Sequence, residues 1–142
     1  MENTNISVIR NEMEVHHDGE ADDERLTIPS NTEVYEIDGP FFFGVANKFE
    51  EMARTRSQAQ IRVIRMRKVS FIDATGLHNL EIFIASAIDE GRTVILSGVN
   101  EQVYNAIKRA GIVGMVGEEN VLDHIHKALE RAEQISQSLE EK

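Results

Sequence analysis

Two short runs of apolar and β-branched residues, IRVIRMR at 61–67 and TVILSG at 93–98, stand about 25 residues apart. The residues between them follow a different period. Leu77, Leu80, Ile84 and Ala87 or Ile88 recur every three or four positions, and Gly91 closes the series. A strand, a helix and a second strand in succession require a crossover, and crossovers join parallel strands. The same alternation continues to either side. EVYEIDG, at 33–39, places Tyr35 and Ile37 on one face and ends at a Gly-Pro turn. Val45, Phe49, Met52 and Ala53 then predict a first helix over about 45–56. Asn100 is a good N-cap for a helix carrying Val103, Ile107 and Ala110, with Gly111 as its stop. Gly111, Gly114 and Gly117 punctuate a loop with room for a short strand at Ile112–Val116. Leu122, Ile125, Leu129 and Ala132 define a last helix that fades in the polar SQSLEEK tail. The expected fold is α/β, a four- to five-stranded, mostly parallel or mixed sheet packed with four or five helices.

At 142 residues the chain suits one domain with a real core. Residues 12–24, EMEVHHDGEADDE, carry seven acids and few large apolar groups, so they cannot bury enough surface to offset their ordering entropy. The expected organisation is a flexible acidic linker arm at 1–30, a domain at 31–137 and a polar tail at 138–142. Within the arm, ISVIR can form a strand or helix against something outside the chain, and RLTI a short edge strand. The net charge of −10 argues against general nucleic-acid binding, because an acidic surface repels phosphate. No cysteine is present, which removes disulfide and thiolate chemistry. The longest apolar run, Ile82 to Ile88, falls far short of the roughly 20 residues that cross a bilayer. MENTNISVIRNE lacks the basic start and apolar centre of a signal peptide. A soluble chain is expected.

Enzyme signatures are absent from the sequence: no G-x-S-x-G elbow, no Walker A loop and no H-E-x-x-H. Gly111, Gly114 and Gly117 follow a helix instead of opening one after a strand, so they read as turn glycines. His16 and His17 read as solvated linker residues, and His124 and His126, two apart on a helix, do not face one another. No metal site and no catalytic residue is assigned. Arg54, Arg56, Arg62, Arg65, Arg67 and Lys68 fall in a stretch without an acid from Met52 to Ile72. Two readings stay open for Arg62, Arg65, Arg67 and Lys68: a basic patch for anions, headgroups or acidic proteins, or pairing with carboxylates on neighbouring elements. Three rings in succession, Phe41 to Phe43, cannot all point inward from an extended segment, which leaves Phe41 or Phe42 for a contact surface.

VYEIDGPFFFGVANKFEE, IRVIRMRKVSFIDATGLHNLE and GRTVILSGVNEQVYNAIKRAGI, in that order and spacing, resemble a STAS domain (sulfate transporter and anti-sigma factor antagonist) over about 32–135. Soluble antagonists of that family usually carry Asp-Ser-Ser-Gly in the loop, the second serine being phosphorylated. Here the loop is Asp73-Ala74-Thr75-Gly76, with a hydroxyl retained at Thr75. The Gly39-Pro40-Phe41-Phe42-Phe43 segment is similar to that of SulP anion permeases. The resemblance therefore implies a non-catalytic regulatory domain at the cytoplasmic face of the inner membrane, the C-terminal part of a bacterial SulP-type transporter of sulfate or a related anion. It implies a frame extending upstream of Met1, and the transporter's own membrane domain as partner. Asp73, Thr75, Gly76 and His78 are the expected contact loop, with Thr75 as phospho-acceptor. The alternatives are a stand-alone antagonist-like signalling protein switched at Thr75, or a module that binds a nucleotide such as GTP. Otherwise no cofactor is implied. For the loop itself, a purely structural reading also stands, with Asp73 as N-cap and Thr75 as a first-turn residue.

Overall fold

The computed structural model describes residues 5–9, 27–38 and 59–140. Its strands are β1 (Asn5–Ile9), β2 (Thr32–Asp38), β3 (Ile61–Lys68), β4 (Thr93–Ser97) and β5 (Val121–Leu122). The helices are α1 (Ala74–Asp89), α2 (Glu101–Arg109), α3 (Ile112–Val116) and α4 (Ile125–Glu140), with a 3₁₀ turn at Glu118–Asn120. One sheet of order β1-β2-β3-β4-β5 holds the strands. β2 to β5 run parallel, and β1 lies antiparallel on β2 with Asn5 opposite Asp38 and Ile9 opposite Val34.

The two-residue period of the strands divides the core between two faces. Tyr35 and Ile37, Ile64 and Met66, and Val94 and Leu96 meet α1, α2 and α3 through Leu80, Phe83, Ile84, Val103, Ile107 and Ile112. Val34, Ile61, Val63 and Ile95 point the other way, onto Ile125, Ala128, Leu129 and Ala132 of α4. β3 is therefore covered on both sides, which explains why IRVIRMR does not alternate apolar with polar. The first six residues of β3, Arg62 and Arg65 included, are buried.

Several expectations need correction. Ile112–Val116 is a helix, not a strand. Gly111 and Gly117, both at positive φ, bracket it, and burial of Ile112, Val113 and Val116 follows helical spacing. The strand that closes the sheet is instead the two-residue β5. α4 runs through Glu140, past the start of the expected polar tail, because Leu139 packs against the core and Ser136 is buried, donating to the Ser30 carbonyl at 3.0 Å. Ile6 to Ile9 pair with β2 of this chain, where an outside partner was expected. Thr27 and Ile28 form no strand, although Ile28 packs on the α4 core. The helix expected at 45–56 and the Phe41–Phe43 cluster lie outside the described residues.

Candidate functional site

The turn from β3 into α1 is fixed at both ends. The Val69 N–H donates to the Met66 carbonyl at 3.0 Å, which bends the chain off the strand. Asp73, in an extended conformation, is the N-cap of α1: its Oδ1 accepts from the Gly76 N–H at 2.7 Å, and its carbonyl accepts from the Leu77 N–H at 2.8 Å. An acceptor here satisfies a donor the helix cannot, at its positive end. The structural reading of Asp73 is thus what the geometry shows. Thr75 is the second residue of α1 and exposed, Gly76 is buried, and His78 is exposed one turn on. Asp73, Thr75 and His78 come together at the same helix end. Phe41 and Phe42 lie outside the described residues, so their place beside this loop is not established.

One residue that holds the loop was read from sequence only as a cap. Asn100 accepts from the Val103 N–H through Oδ1 at 2.7 Å, capping α2. Its Nδ2 donates to the carbonyls of Val69 at 3.2 Å and Ser70 at 3.3 Å. A single amide therefore starts α2 and pins the loop that starts α1. The signal available in sequence is the residue type, since asparagine caps as aspartate does but keeps two N–H donors to spend elsewhere. Phe71, next in the loop, is 43% exposed.

The four candidate basic residues do not make one exposed face, since Arg62 and Arg65 are buried. Arg62 donates from Nε to Glu33 Oε1 at 3.0 Å, and a second guanidinium nitrogen lies 3.0 Å from the same oxygen. Its guanidinium carbon sits 4.9 Å from the Tyr35 ring centroid and 5.1 Å from that of Phe83. Arg92 adds a second cation 3.9 Å from Glu33, while also pairing with Glu90 and donating to the Ala59 carbonyl. Burial pushes the Tyr35 phenol up to about 12, with Arg62 acting against the shift and Glu33 for it. Arg67 pairs with Glu36 at 3.0 Å, and Lys68 is half-buried. Pairing on neighbouring strands is the arrangement for Arg62 and Arg67.

The histidines require a correction. His124 precedes α4, and its carbonyl accepts from the Ala128 N–H at 3.1 Å. Its Nδ1 accepts from the His126 N–H at 3.1 Å, and the two rings stack with centroids 5.0 Å apart. The expectation that they cannot meet assumed both were inside the helix. The adjacent Asp123 carboxyl is held below its usual range by the hydrogen bond and charge of Lys127. Among the described residues no group of three metal-ligating side chains converges, and no helix is long and apolar enough to cross a membrane.

Comparison with known proteins places the chain firmly. The STAS domain family model matches residues 25–132. A sulfate transporter family protein from Wolinella succinogenes is 39% identical, with 83% of this chain and 96% of that chain covered and a TM-score of 0.75. The SulP transporter STAS domain from Vibrio cholerae is 36% identical over 83% of this chain and 91% of that one, at a TM-score of 0.69. An anti-sigma factor antagonist from Thermotoga maritima shares the fold, at 17% identity, 74% and 90% coverage and a TM-score of 0.63. No curated protein matches the chain.

Proposed function

The chain belongs to the STAS domain family, and from that membership we propose that it is the cytoplasmic regulatory and interaction domain of a SulP-type transporter of sulfate or a related anion. The observation that carries this reading is similarity at 39% identity to a sulfate transporter family protein and at 36% to a SulP transporter STAS domain, against 17% to the antagonist. In this reading the domain performs no chemistry. It presents the loop from Ser70 to Gly76 and the outer face of α1 to the membrane domain or to regulatory proteins. The Asp73 and Asn100 hydrogen bonds hold that surface in place, so a partner would dock there without refolding of the core. Two measurements test it. The reading frame upstream of Met1 is expected to continue through a series of apolar spans. Deleting the domain from that longer protein should alter its anion uptake in vesicles. A gene beginning at Met1 refutes the reading.

A second reading keeps the exposed hydroxyl of Thr75 as a phosphorylation switch. Phosphate there would add about 1.5 to 2 negative charges at a helix N-terminus that favours them, beside an Asp73 carboxylate that does not. Incubation with candidate kinases followed by mass spectrometry tests it, and absence of phosphate on Thr75 counts against the switch.

A further inference from the structure

Among the described residues, the exposed large apolar side chains are Phe71, Ile82 and Ile88. All three fall in one segment, the loop and helix between β3 and β4. Residues 69–91 contain no lysine or arginine but four acids, Asp73, Glu81, Asp89 and Glu90. Of these, Glu90 is taken up by Arg92. Along α1, Thr75, His78, Ile82, Ala85, Ser86 and Asp89 are exposed at three- and four-residue spacing. They form one stripe of about 21 Å. Ile82, 54% exposed, stands at its centre, with small side chains below it. Glu81 and Ile88 lie together on one flank. Single exposed apolar residues are ordinary, but here Ile82 and Ile88 share a helix that carries no lysine or arginine.

The geometry points to this stripe as the docking face for a basic amphipathic helix, its apolar side on Ile82 and its lysines or arginines toward Glu81 and Asp89. Charge decides among the occupants. A two-fold contact with a second copy would join two faces that both carry carboxylates and no lysine or arginine, and anionic lipid headgroups would be repelled. Small residues at 85 and 86 let a second helix axis approach closely. Resting on the transporter reading above, the source would be a cytoplasmic end of the membrane domain, where lysine and arginine are enriched.

The test is amide chemical-shift mapping of the 142-residue chain with a synthetic amphipathic helix of leucine and lysine, and a leucine–glutamate helix as control. Shifts confined to Thr75–Asp89 are expected with the lysine peptide alone. Ile82→Ser, at an exposed position that leaves the fold intact, should weaken binding about tenfold. Glu81→Gln with Asp89→Asn should weaken it about fivefold and flatten its salt dependence. Shifts centred instead on the exposed Glu130, Glu133 and Glu140 of α4, or unchanged binding in Ile82→Ser, overturn the proposal. So do α1 shifts that grow with protein concentration alone, or that anionic vesicles reproduce. A gene beginning at Met1 would remove the transporter as source but leave peptide binding intact, so the two failures are distinguishable.

Discussion

Removing the charge of Glu33 should destabilise the protein more than removing Arg62, although the two are partners in one buried pair. Both are almost wholly excluded from water, and Glu33 Oε1 takes two contacts from Arg62 at 3.0 Å. Taking one member from a buried pair typically costs about 3–5 kcal/mol, because the other is left buried and uncompensated. The surroundings make the two cases unequal. With Glu33→Gln, Arg62 and Arg92 converge on a neutral amide, and among the described residues the rings of Tyr35 and Phe83 are what remains to answer the Arg62 charge. A loss of about 3 kcal/mol is expected, at the lower end because the amide oxygen still accepts a hydrogen bond. With Arg62→Met, Glu33 keeps Arg92 at 3.9 Å, and a thioether fits between the two rings, so about 1–2 kcal/mol should be lost. The double variant should be more stable than the summed single losses by about 1–3 kcal/mol. Urea unfolding followed by circular dichroism measures all four proteins, with an unchanged slope confirming that only stability moved. Equal losses, a larger loss for Arg62→Met, or simple additivity would refute the argument.

The Tyr35 phenol, pushed up to about 12 by burial, keeps its proton in the folded state where the unfolded state ionises near 10. Stability should therefore be unaffected by this group below pH 10, fall by about 1.4 kcal/mol per unit between 10 and 12, and level off above, a slope that Tyr35→Phe removes. Gly98 has φ +70, and a Cβ there would lie 2.9 Å from the Arg67 backbone nitrogen. Gly98→Ala should lower stability by at least about 1 kcal/mol in thermal melts, since both the backbone and β3 oppose it. Asn100→Asp retains the α2 cap but sets a carboxylate against the Val69 and Ser70 carbonyls. Amide hydrogen exchange should then quicken across residues 69–73 while α2 stays protected, whereas Asn100→Ala loosens both.

What could be read from sequence was what periodicity and caps report. The strands at 61–68 and 93–97, the helix from 74, and the Asn100 and Gly111 boundaries all follow from apolar spacing and from side chains whose chemistry suits one position. The misplaced element, Ile112–Val116, is five residues rich in valine and isoleucine, a composition that favours strands. Burial at the first, second and fifth positions decided it, and so short a run does not distinguish the periods. β5, at two residues, carries no periodic signal at all. Pairing of Arg62 with some neighbouring carboxylate was one of two readings open from sequence, but Glu33 as its partner was not legible. It depends on parallel β2–β3 register, which sets Glu33 opposite Arg62 across 29 residues of chain.

Covering β3 on both faces explains where the chain can still meet a partner. Six consecutive buried positions hold Arg62 and Arg65 inside, so two cations of an acidic protein lie within the fold, Arg62 directly against Glu33. α1 itself carries no lysine or arginine, and Asp73 at its N-cap and Asp89 at its last position are exposed. Two cations are thereby buried in the sheet, and carboxylates are displayed along the helix that begins at Ala74. An added phosphate would deepen a negative field that already exists. Modification at Thr75 and docking of a basic helix on Ile82 should therefore reinforce each other unless the phosphate meets Asp73 before it meets the partner. Thr75→Glu is the direct check: tighter binding of the leucine–lysine helix places the partner's cations within reach of Thr75, unchanged binding places them lower, toward Asp89, and weaker binding refutes the reinforcement.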